Sequence, residues 1–186
     1  MYKTYKLILK GVLAVLFIGI VFLLGNFAES NDLIKEIVSS YGYFGIFIIS
    51  LFGGFNFFVP IPVASFIPLF LESGLSFAVT ILIISLGLTM ADIITYFIGN
   101  LGREAFLENN KKMFLFFEKT KNSFRYAPYV ILFIYISLAP LPNEIFVIPL
   151  AFFGYKLRFI IPITFLGNII FNSLFGQGFV KIFEFL

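Results

Sequence analysis

The chain has 186 residues, of which 60% are hydrophobic, 20% aromatic and only 12% charged. A soluble domain carries about 25% charged residues, so this is the composition of an integral membrane protein, of a length that fits one compact bundle. Cysteine and histidine are absent, which excludes disulfides, thiol nucleophiles, Cys or His metal sites and the commonest general base. No cofactor is expected. The net charge of +3 is accounted for by basic loops and does not call for nucleic acid.

In chain order, Lys3, Lys6 and Lys10 open a long apolar run. The run reads as a retained first transmembrane helix over 5–27, because Asn26 and Ala28 make a poor signal cleavage site. An acidic link over 30–40 follows. Residues 41–74 are apolar but interrupted by Gly53, Gly54, Asn56, Pro60, Pro62 and Pro68, whereas 75–99 is a plain span. The charged centre, 103–125, places Phe106, Met113, Phe117 and Phe124 at helical spacings among lysines, which reads either as an amphipathic cytoplasmic linker on the inner leaflet or as a topology signal alone. A second broken segment covers 126–154. Lys156 and Arg158 form a basic link, and 159–180 is the last plain span. Basic loops belong inside, so the expectation is a multi-pass protein of the cell membrane, N-terminus cytoplasmic and C-terminus outside.

The broken segments decide the expected fold. From Pro62 to Gly74 there is about 20 Å of helix, too short for a hydrocarbon core of about 30 Å. Both segments therefore read as re-entrant hairpins with tips at Pro60 and Pro62 and at Pro140 and Pro142. Overlaying the chain on itself so that Pro60 falls on Pro140 also lays Gly74 on Gly154, Gly87 on Gly167 and Asp92 on Asn172. The expected architecture is an all-α membrane protein: transmembrane helices plus two oppositely oriented re-entrant helical hairpins forming an inverted repeat, with units 41–99 and 126–180. Such repeats place transport sites where broken helices meet near the midplane.

Broken backbone at membrane depth is tolerated only inside protein or beside water, so the tips predict a buried polar site. Pro142, Asn143 and Glu144 open the second half-helix, with Asn143 as its cap and Glu144 in the first turn, where the helix dipole favours a carboxylate. Glu144 is either an exchange site or a closure of the helix end. Ser85, Thr89, Asp92, Tyr96 and Gly99 make one polar stripe; Thr164, Asn168, Asn172 and Gly176 make another. Asp92 either faces the cavity between them or snorkels to the cytoplasmic surface. Glu72, near the outer end of its hairpin, is a further candidate whose plainer reading is a solvated carboxylate. Gly87, Gly99, Gly102 and Gly167 are expected at close helix contacts.

A Pro-x-Pro hairpin, then Gly87, Asp92, Tyr96, Gly99 and Gly102 at fixed spacings, a basic loop, and PLPNE followed by IPLAFFGY together resemble the DedA family, also called SNARE-associated or VTT-domain proteins. The resemblance covers roughly 41–176. It implies two facing re-entrant hairpins and movement of lipids between leaflets, as a flippase or scramblase, with membrane lipids and protons as partners. The chain departs from the family at Val63 and Ala64, where many members carry an acid, and at Ser137 and Asn143, where they carry arginines that would pair with phosphate. The residues themselves leave open a proton- or cation-coupled small-solute carrier and a structural membrane-assembly role. They argue against an enzyme: Asp32 and Asp92 are the only aspartates, and a phosphatase would call for a histidine or basic cluster.

Overall fold

A computed structural model of the chain describes residues 40–55, 63–107 and 126–184, with the isolated positions 36, 115 and 119. The expected first helix (5–27), most of the linker and the first tip, with Pro60 and Pro62, lie outside the described residues. Those described form helices and no strand. They are α1 (Tyr43–Gly53), a 3-10 turn (Val63–Phe66) leading into α2 (Ile67–Glu72), α3 (Phe77–Leu107), α4 (Ala127–Leu138), α5 (Glu144–Phe152) and α6 (Leu157–Glu184).

Two of these helices are long and apolar enough to cross a membrane, over Phe77–Glu104 and Leu157–Gly178. By contrast α1 and α4, of 11 and 12 residues, rise about 16 to 18 Å, little more than half a hydrocarbon core. Helix α3 outruns the plain span, which was expected to end at Gly99. Arg and Glu favour helix, and Asn100 Nδ2 donates to Glu104 Oε1 one turn on at 2.9 Å, so Arg103 and Glu104 belong to the helix rather than to the linker.

The short segments finish alike. After α2 the Gly74 N–H bonds the Leu71 carbonyl and Leu75 N–H bonds that of Phe70; after α5 Gly154 N–H bonds Ala151 and Tyr155 N–H bonds Leu150. Both are Schellman closures, and both put a glycine at positive φ, 81° at Gly74 and 76° at Gly154. In each segment a tyrosine at the start of the first arm then meets the far end. The Tyr43 hydroxyl accepts the Ser76 N–H at 2.9 Å, and the Tyr129 hydroxyl accepts the Lys156 N–H at 3.1 Å. In both cases a residue near the start of the segment is thus hydrogen-bonded to one just beyond its end.

Packing between the units is crossed. Helix α1 runs alongside α3, with Ser50 against Gly87 and Gly54 against Ala91; α4 runs alongside α6, with Ile136 against Gly167. The second arms change partner. Helix α5 lies on α3, its Ile148 and Ala151 on Gly99, while α2 lies on α6, its Ile67 on Gly176. A Cβ added at Gly87 or Gly99 would come within 2.6 to 2.8 Å of a neighbour, so the backbones approach as only small residues allow. Two apolar cores result: one around Phe66, Ile67, Phe70 and Ile84, the other around Leu132, Ile136, Val147 and Ile160. On α3 the polar side chains Thr80, Ser85, Thr89, Asp92 and Thr95 are buried, whereas Leu82, Leu86, Met90, Ile94 and Phe97 are exposed. A helix in water presents the opposite faces.

Candidate functional site

Midway along α3, between the two cores, Asp92 is only 2% exposed. Its burial follows from the crossed packing, since α5 begins at this level and α6 passes on another side. Asn143, just ahead of α5, donates from Nδ2 to Asp92 Oδ2 at 3.1 Å and approaches Asn168 Oδ1 at 3.3 Å. Asn168 Nδ2 lies 3.4 Å from both Asp92 Oδ2 and Thr89 Oγ1. Three helices thus meet through one carboxylate and two amides. Asp92 is enclosed in the bundle, its carboxylate held by side chains from two other elements.

Glu144, in the first turn of α5, is 4% exposed and close enough for its charge to act on Asp92. Two buried carboxyl groups therefore stand within electrostatic reach of each other, in an interior where an isolated ionised group costs several kcal/mol unless hydrogen-bonded or paired. Asn172, on which the sequence overlay lays Asp92, is buried but turns to its own helix, donating to the Asn168 carbonyl at 2.7 Å.

The other expected residues are placed as follows. Asn143 occupies the N-cap position but makes no capping bond. Its backbone is already helical, at φ −63° and ψ −27°, and this frees the side chain to turn to Asp92, which corrects the expected cap. Tyr96 leaves the stripe: its hydroxyl donates to the Tyr155 carbonyl at 2.8 Å, at the far end of α5. Glu72 is exposed at the end of α2 and takes no part in the cluster. Pro140 and Pro142 lie in the tip between α4 and α5. Ala139 before them is extended, at ψ 123°, as a residue preceding proline must be, and the Pro142 carbonyl accepts from the Tyr135 hydroxyl at 3.0 Å. Gly87, Gly99 and Gly167 sit at close helix contacts, whereas Gly102 is exposed and meets only a Phe152 ring atom at 3.9 Å.

Sequence reading passed over the three tyrosines that tie the segments, Tyr43, Tyr129 and Tyr135. The overlay of the two units lays Tyr129 on Ile49, so equivalent roles fall at different offsets. The signal that carries them is a tyrosine near the start of each broken segment. Ser137, at a position the DedA resemblance gives to arginine, is buried with its Oγ unbonded. Comparison of the chain with protein-family models, with curated proteins and with solved structures finds no match.

Proposed function

We propose that this is a DedA-like membrane protein that moves lipids between leaflets, with proton exchange at the Asp92 and Glu144 cluster. The observation that carries the reading is the cluster itself: a carboxylate held by amides from two other elements, at the level where α5 begins, inside helices whose outer faces are apolar. A second support is the paired construction of the segments. Both end in the same glycine closure, both return to a tyrosine at their start, and Ile67 and Ile148, matched by a one-residue slip of the overlay, each rest on a glycine of the opposite long helix. This favours re-entrant hairpins in an inverted repeat. On that reading the protein is multi-pass in the cell membrane, with N-terminus and basic loops cytoplasmic and C-terminus outside, and the cluster gives a headgroup a polar step at mid-depth.

The test is purified protein in liposomes that carry fluorescent lipids of different headgroups, with dithionite quenching only the outer leaflet. Lipid movement above protein-free vesicles, lowered by Asp92→Asn, is expected; no movement of any headgroup would overturn the reading. The near-complete burial of Asp92 favours a second reading, a proton-coupled carrier of a small solute whose site is occluded. Solute uptake driven by a pH gradient, without lipid movement, would establish that one instead.

A further inference from the structure

The end of α3 and the turn into α6 meet in a patch that the Asp92 cluster does not use. Arg103 lays its guanidinium against Gly154, where a Cβ would come within 3.1 Å of both Cζ and Nε. Gly154 needs its positive φ to close α5, so the backbone that leaves room for the guanidinium is also one that favours glycine. The Arg103 Nε is buried with no hydrogen-bond partner. The neighbouring acid, Glu104, receives Asn100 instead. On the other side of Gly154, the Tyr129 ring stands edge-on to Tyr155 and Phe159, and the Arg158 guanidinium lies 4.8 Å above the Phe159 ring. Lys156, exposed, lies between them in the chain.

A topology signal needs only cations in water, whereas Arg103 is half-buried and pinned. Leaving a buried donor without an acceptor costs about 1 to 3 kcal/mol, and a guanidinium fork matches phosphate oxygens two at a time. Under the Arg158 guanidinium, Phe159 is exposed and apolar. Charge and apolar surface together fit an acyl chain against Phe159, at the start of α6, with its phosphate among these cations. A free phosphate ion would use only the first of these.

We infer that Arg103, Lys156 and Arg158 bind the phosphate of an anionic phospholipid headgroup, in the leaflet on the side where α3 ends and α6 begins. This site rests on the chain lying in a membrane, not on its moving lipid. The test uses the full chain in detergent and reads bound lipid by native mass spectrometry, with phosphatidylglycerol against phosphatidylcholine. Wild type is expected to retain phosphatidylglycerol preferentially, and Arg103→Gln and Arg158→Gln each to weaken it roughly tenfold, the worth of one charged hydrogen-bonded contact. Arg103→Lys, which keeps charge but loses the fork, should fall between, and Lys181→Gln, at the other end of α6, should bind as wild type. Because Arg158 is exposed, its variant carries the test should Arg103→Gln fold poorly. Equal binding of both lipids by wild type, Arg158→Gln binding as wild type, or displacement of the lipid by inorganic phosphate would each overturn the site. A protein that binds phosphatidylglycerol through these residues yet moves no lipid in liposomes would instead remove only the transport reading.

Discussion

Asp92 shows how one side chain couples charge to packing. Its Oδ2 collects amide hydrogens from Asn143 and Asn168, so Asp92→Asn keeps size and polarity while removing the charge. Membrane level and thermal midpoint are expected to hold while lipid movement in liposomes falls. Asp92→Leu strands both amides, at about 1 to 3 kcal/mol for each buried donor left unpaired, and should lower the thermal midpoint in detergent as well. Full transport by the asparagine variant would take the charge out of the mechanism. For Glu144, the expected result of Glu144→Gln is a flattened dependence of transport on pH with insertion intact; an unaltered pH profile would leave it as a closure of its helix. Asp92, Asn143 and Glu144 were legible in the sequence because acids and amides in an apolar chain are costly to insert. That the asparagine would serve the aspartate and not its own helix was not legible, because it depends on a backbone angle.

Gly74 and Gly154 allow a comparison between elements that end in the same way. Both hold positive φ, where an L-residue costs about 1 to 2 kcal/mol. Around Gly74 nothing lies within 4 Å of a Cβ, whereas at Gly154 the Arg103 guanidinium is in the way. Gly74→Ala should therefore show the conformational cost alone and Gly154→Ala a larger loss, read as thermal midpoints of the two variants. Equal losses would mean that Arg103 moves aside freely. Gly87→Leu, driven into Ser50 and the Phe47 carbonyl, is expected to cost about 1 to 3 kcal/mol or more through overpacking. The glycine pattern announced these contacts but not the partners. Prolines and glycines mark where helices break or approach, while the choice of neighbour is settled by which apolar faces remain uncovered once all are present.

For the whole molecule, each broken segment is expected to keep both of its ends on one side of the membrane. Cysteines introduced at the exposed positions Tyr41 and Glu72 should label from outside, and those at Tyr126 and Lys156 from inside; labelling of Tyr41 and Glu72 from opposite sides would sink the hairpin reading. That expectation was legible in the charge asymmetry. The crossing of second arms onto the other unit was not, since repetition in sequence says which parts are equivalent and not whether they pack at home or across. That crossing has a consequence for synthesis. Helix α2 finds much of its cover, including Ile67 on Gly176, on α6, which leaves the ribosome well after it. The first unit must therefore wait, partly assembled, for α6. A nascent chain stopped after Tyr155 should remain open to protease or chaperone at 63–72, and become protected only once α6 has been made.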